Sequence, residues 1–204
     1  MQAATPLDFK SAIATLARHE GVWDGVYRYY DASGVLVDLH RSRLFCRFPT
    51  GKPGTYHQTN HYTWDDGRTE TRDFPALIRD GRLVWQGELI RGWAADVALD
   101  DFARTSMLYW TRQNEPGVYV YEMIQLSDCG RYRARVWQWF RNGRLDRRTL
   151  IAEVRVSDGR AALERVQAGG GREKGAPRRC LIPRQPRTGT VPTAPSTSRR
   201  HLPA

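Results

Sequence analysis

Between Tyr56 and Trp64, side chains able to hydrogen bond or stack recur at every second position. Tyr56, Gln58, Asn60, Tyr62 and Trp64 share one parity; His57, Thr59, His61 and Thr63 share the other. Alternate residues of an extended chain face opposite sides. Turned inward, the first set lines an interior with phenols and carboxamides between aromatic rings. Buried amides require partners, so Gln58 and Asn60 must bond each other, water or a bound molecule. The second set reads as a polar outer face. On a helix, His57 and His61 would meet at one metal ion; in a strand they stand roughly 13 Å apart, too far to share one. His57 remains an acid–base candidate because imidazole titrates near neutral pH.

Glu122 shares its parity with Val118, Val120, Ile124 and Leu126, a carboxyl among four aliphatics. If inward, it is either paired with an arginine or protonated, and both states serve proton transfer; a purely structural ion pair is the competing reading. Tyr27 and Tyr29 share a parity with Trp23 and Gly25 and either line a pocket mouth or pack in the core. A tyrosine hydroxyl in an apolar cavity is a hydrogen-bond donor and weak acid, so Tyr62 joins Glu122 and His57 as a catalytic candidate. Farther on, Tyr132, Ala134, Val136, Gln138 and Phe140 suit an interior. That leaves Arg131, Arg133, Arg135, Trp137 and Trp139 as an outer row, with the arginines paired to acids on neighbouring strands. Outward tryptophans would need cover from a helix or from a second subunit, making a homodimer. The expected ligand-binding set is Tyr27, Tyr29, Tyr56, Gln58, Asn60, Trp64, Trp85, Tyr109 and Gln138.

The elements that must position these groups follow from turn chemistry and periodicity. Thr5-Pro6-Leu7-Asp8 has the form of a helix start, and Phe9, Ile13, Leu16 and Ala17 then fall on one apolar face until Gly21. Beyond Gly21 the period becomes two. Asp66-Gly67, Asp80-Gly81 and Asn142-Gly143 signal hairpins, because both central residues of a type I′ turn need positive φ. Strands are expected near 22–30, 35–48, 55–64, 68–73, 82–90, 92–98, 104–112, 118–127, 131–141 and 145–156. A meander of ten strands has an edge problem that closure removes. The chain is therefore expected to be all-β: an up-and-down antiparallel barrel over 21–156, a capping helix within 1–20, and a disordered basic tail over 157–204 rich in Pro, Gly and Ser.

Gly21-Val22-Trp23, placed after a short helix and at the entrance to the first strand, resembles the Gly-x-Trp signature of lipocalins and other calycins. The resemblance implies a Trp packed across the closed barrel bottom with an Arg from the last strand stacked on it; Arg148 and Arg155 are the available counterparts. His19–Gly25, Tyr56–Asn60 and Tyr121–Leu126 are similar to segments of an uncharacterised family of calycin-like bacterial proteins, over roughly residues 15–155. That likeness implies a fold and no function.

Composition narrows the function classes. No window approaches the roughly 18–20 apolar residues of a membrane span, and the first twenty residues lack the pattern of a signal peptide. The three cysteines, Cys46, Cys129 and Cys180, are far apart, so a reduced, cytoplasmic protein is the default. The chain carries a formal charge of +10, but residues 157–204 hold ten Lys/Arg against three Asp/Glu, so the body is near balance. Nucleic acid is accordingly disfavoured as a partner. Nucleotide-binding glycine motifs, a nucleophile elbow and a zinc pattern do not appear, and no cofactor is expected. The leading reading is a cavity for one small hydrophobic or aromatic molecule, acted on by cofactor-free cyclisation, isomerisation, dehydration or decarboxylation in a biosynthetic pathway. A non-catalytic carrier of a pigment, fatty acid or haem-like ligand is the alternative. A nucleic-acid adaptor acting through the tail is the third.

Overall fold

The computed structural model describes residues 10–157. The helix start at Thr5-Pro6 and nearly all of the expected tail lie outside the described residues. A 3₁₀ turn over Ser11–Ile13 runs into one α-helical turn, α1 (Ala14–Ala17). Ten strands follow: β1 (Gly21–Asp31), β2 (Leu36–Arg47), β3 (Thr55–Thr63), β4 (Thr69–Arg79), β5 (Arg82–Gln86), β6 (Ile90–Val97), β7 (Thr105–Arg112), β8 (Val118–Leu126), β9 (Tyr132–Arg141) and β10 (Arg144–Ser157). Each pairs antiparallel with its sequence neighbours, and β1 pairs with β10 to close the barrel. The expected up-and-down barrel is the observed fold. No helix among the described residues is long and apolar enough to cross a membrane.

Two of the expected tight turns have the required backbone. Asp80 and Gly81 have φ of 49° and 69°, and Asn142 and Gly143 have 51° and 79°. At Asp66-Gly67 only the glycine is positive, because the loop is longer and closes from Trp64 N–H to Arg68 C=O at 2.9 Å. β4 runs six residues past its expected end, through Pro75. It does so because its ladder to β5 involves only Leu77, Ile78 and Arg79, so Pro75 faces a partner on the β3 side alone and its missing N–H breaks no bond to β5.

One end of the barrel, the base, is closed by the N-terminal turns. Ile13 and Leu16 are buried there. Asp96 of β6 accepts from the Thr15 and Leu16 backbone N–H groups at 2.7 and 3.0 Å and from the Ser106 hydroxyl at 2.9 Å. These bonds satisfy donors that a single helical turn leaves open. Trp23 is fully buried, with its Nε1 donating to His19 C=O at 2.9 Å. The Arg155 guanidinium lies 4.5 Å from the Trp23 ring centroid and donates to the carbonyls of Gly130, Glu20 and Arg18. Arg155 thus occupies the stacking position that the calycin resemblance implies, whereas Arg148 is exposed.

Candidate functional site

Inside the barrel just above the base, two arginines and two carboxylates form a buried network. Arg133 pairs with Glu153 and stacks 4.3 Å from the Trp23 centroid. Arg135 donates to Glu122 at 2.6 Å and to the Tyr27 hydroxyl at 3.1 Å, and lies 3.4 Å from Glu153. Tyr27 in turn donates to Glu153 at 2.9 Å. The four charges cancel, which is the condition for burying them. Burial alone would push the Glu153 carboxyl up, but Arg133 and Arg135 outweigh it and hold it below its ordinary value. His19, completely enclosed and beside these arginines, is held well below its ordinary value by burial and by their charge, so it is neutral. Gly25 makes the arrangement possible: a Cβ there would sit 2.5 Å from Glu153 Cγ.

Along β3, the inward residues form a polarised ladder. Tyr56 O–H donates to Gln58 Oε1, Gln58 Nε2 to Asn60 Oδ1, and Asn60 Nδ2 to the Tyr62 hydroxyl, each at 2.8 Å. The half-buried Gln58 and buried Asn60 carboxamides therefore bond each other, one of the outcomes open to them from sequence. The last member, Tyr62, accepts from Asn60 and keeps its own proton to donate. Burial raises its pKa, so it stays a phenol.

Toward the opposite end, the mouth, the lumen holds a cavity of about 250 Å³. Five of the chain's seven tryptophans line it: Trp64, Trp85, Trp110, Trp137 and Trp139. Trp110 meets Trp137 and Trp139 edge-on, with centroids 5.8 and 5.2 Å apart. Tyr29, Tyr62 and Phe74 complete the aromatic wall, Glu122 and Arg135 lie at its inner end, and Arg72, Arg112 and Arg141 stand near the rim. Gly92, opposite both Trp85 and Trp110 in the sheet, leaves space for the latter: a Cβ would fall 2.0 Å from Tyr109 O.

His40 is the site residue that the sequence reading missed. It lines the cavity, is buried, and stacks on Tyr27 with centroids 4.9 Å apart. Tyr62 lies edge-on at 5.0 Å and Trp64 is tilted against the imidazole at 4.9 Å. Its Nε2 is 3.2 Å from the Tyr29 hydroxyl and its Nδ1 is 3.3 Å from the Arg41 carbonyl. The Ser42 hydroxyl is also 3.4 Å from Nδ1; in the tautomer that donates Nδ1–H to the Arg41 carbonyl, Nε2 presents its lone pair to Tyr29. Burial lowers the imidazole pKa, so this base is unprotonated at neutral pH. Its signal was parity: it lies in phase with the apolar residues Leu44 and Cys46, both of which are buried.

Of the expected site residues, Tyr29, Gln58, Asn60, Tyr62, Trp64, Trp85 and Glu122 all line the cavity. Tyr27 and Tyr56 are buried nearer the base. Three do not reach the lumen. His57 lies on the outer face of β3, where Arg47 donates to its Nδ1 and Asp73 stands 3.3 Å from Nε2. Tyr109 is also outside, with ring centroids 6.2 and 5.5 Å from Tyr119 and Tyr121. Gln138 is exposed, because β9 faces the other way from expectation: Arg133, Arg135, Trp137 and Trp139 point in. The physical reason is charge pairing. Glu122 on β8 and Glu153 on β10 flank β9 and neutralise its arginines inside, where Trp23 also receives one. The arginine row therefore offers no track to a nucleic-acid strand, and the tryptophans need no cover from a second subunit.

No protein-family model and no curated protein matches the chain. Among solved structures it is similar to a protein of unknown function from the DUF3598 family of Nostoc punctiforme, with a TM-score of 0.56 at 16% identity over 76% of this chain and 53% of that one. This chain thus spans about half the length of that protein. It is also similar to an S-type phycobiliprotein lyase from Guillardia theta, with a TM-score of 0.54 at 12% identity over 69% of this chain and 89% of that one. At these identities the likeness carries the fold, which fits a calycin-like barrel, and leaves the chemistry to the site.

Proposed function

We propose that the barrel binds one compact aromatic or conjugated molecule. The observation that carries this reading is the cavity wall, where five indoles, two phenols and a phenyl ring surround about 250 Å³. That volume is just below the roughly 300–1,000 Å³ typical of drug-sized ligand sites, so it suits a molecule of one to three rings better than a haem-sized one. A fatty-acid carrier would be better served by an aliphatic lining. Titration with two-ring and three-ring aromatics against a twelve-carbon aliphatic alcohol tests the reading through tryptophan fluorescence. Ring-selective, 1:1 quenching is expected, and Leu108→Trp, which fills the cavity from its wall, should abolish it. Undiminished binding by Leu108→Trp would move the site elsewhere.

A second reading, cofactor-free proton transfer on that molecule, is favoured by His40 and Tyr62. A neutral imidazole and a phenol that keeps its proton border the same cavity, which is the pairing an isomerisation or dehydration requires. His40 Nε2, directly or through the Tyr29 hydroxyl, takes a proton from a carbon next to a carbonyl, while Tyr62 donates to the carbonyl oxygen. Glu122, held by Arg135, serves this scheme by keeping the inner end of the cavity polar and fixed. Under this reading His40→Asn retains ligand binding and loses turnover. A molecule that co-purifies in stoichiometric amount, unchanged over time in native mass spectra, would instead favour a carrier.

A further inference from the structure

Among the buried side-chain atoms of the cavity-lining residues, those left without a partner are all donors. Several of the cavity's acceptors are already engaged: both oxygens of Glu70 take Arg72, at 2.5 and 2.9 Å, and the two oxygens of Glu115 take Arg112 and Arg141, each at 3.1 Å. The amide oxygens of Gln58 and Asn60 are taken by the β3 ladder. The surplus consists of donors. Trp85 Nε1, Trp137 Nε1 and Arg112 Nε are buried without an acceptor, all on side chains that border the cavity, and Tyr62 has a proton to give. A buried N–H left unpaired costs free energy that a bound acceptor recovers. Charge points the same way. The Arg112 side chain is 11% exposed, and burial together with the nearby Arg72 charge weakens its hold on its proton. An anion at that place relieves both effects.

We infer that the molecule bound here is an aromatic or conjugated carboxylate, with its acid group at Arg112 beside Arg72 and a carbonyl-type oxygen facing the tryptophan N–H groups. This rests on the aromatic-ligand reading above and adds the class of acid.

The test compares 2-naphthoate with methyl 2-naphthoate, which share a ring system and differ in charge, by tryptophan fluorescence and thermal shift. The acid should bind at least about tenfold more tightly, the ratio that one charge-assisted hydrogen bond sustains. Arg112→Met should bring the ratio close to one. Equal binding of acid and ester by the unsubstituted protein overturns the carboxylate assignment and leaves the aromatic-ligand reading standing. Absence of binding by either probe at millimolar concentration overturns both. A preference for the acid that survives in Arg112→Met overturns the role given to Arg112. Should that variant fail to fold, the acid-to-ester ratio in the unsubstituted protein still decides the assignment.

Discussion

In the half of the lumen next to the base, Arg133, Arg135, Glu122 and Glu153 fill the space with charges that cancel, and Tyr27 is bonded to both sides of the network. In the half next to the mouth, tryptophans surround a cavity and indole N–H groups lack acceptors. The same barrel therefore carries one polar interior whose charges are paired within the protein, with Arg133 Nη2 left over, and another in which two indole N–H groups face a cavity without acceptors. Stability should depend mostly on the first and ligand binding mostly on the second. Arg135 belongs to both, since it anchors the network and ends the cavity.

The largest expected effect comes from breaking the lower network. Arg135→Met leaves Glu122 buried without its partner and strips Tyr27 of a donor, and removing one member of a buried pair costs about 3–5 kcal/mol. Urea unfolding should show the loss, and a change under about 1 kcal/mol would mean that the network is slack. Gly25→Ala comes next. Its Cβ would displace the Glu153 side chain, an overpacking cost of about 1–3 kcal/mol, without touching the cavity. Ligand affinity in that variant should change little.

The lower half should also set the acid limb of stability. Glu153 is held below its ordinary carboxyl value, so its contribution is complete above the unfolded-state pKa and is lost as pH falls through the folded-state value. His19 acts in the same direction at higher pH. Its folded-state pKa is depressed, so below about 6.5 the unfolded chain binds a proton that the folded chain refuses. Urea midpoints measured from pH 7 to pH 3 should therefore fall in two stages. His19→Gln should reduce the first stage, to which the likewise depressed His40 and His57 also contribute, and Glu153→Gln the second, although each variant starts from a lower stability at neutral pH.

Much of this division was legible from sequence, and the exception is instructive. The ten strands were, because Asp80-Gly81 and Asn142-Gly143 adopt the backbone that their residue types favour. The inward face of β3 was too, since Tyr56 through Trp64 alternate without interruption. The face of β9 was misread because arginine was treated as a solvated residue and Gln138 as an interior one. A consistency check existed. Residues directly opposite in an antiparallel pair share a face, and Glu122 pairs with Trp137 on β9 and with Leu108 on β7. An inward Glu122 thus requires inward Trp137 and Arg135, and it sends Tyr109 and Gln138 outside. A one-residue slip in that register inverts every side chain, so a strand read in isolation carries no such protection.

The smallest expected effect separates the histidines that sequence spacing made conspicuous from the one that the fold placed at the cavity. His57 is satisfied on both ring nitrogens by Arg47 and Asp73 and stands on the outer wall, so His57→Gln should alter stability by no more than about 0.5 kcal/mol and leave ligand binding as it was. His40 makes the contrast. His40→Gln keeps a hydrogen-bonding group but loses the ring that stacks on Tyr27 and the lone pair near Tyr29. Because the His40 imidazole is held neutral, acidification should protonate it only at pH values below the ordinary histidine range. Binding of an aromatic probe should then change at that lower pH in the unsubstituted protein and in His57→Gln, and should lose the transition in His40→Gln. A transition that vanished with His57 instead would place the responsive group outside the barrel and remove His40 from the site.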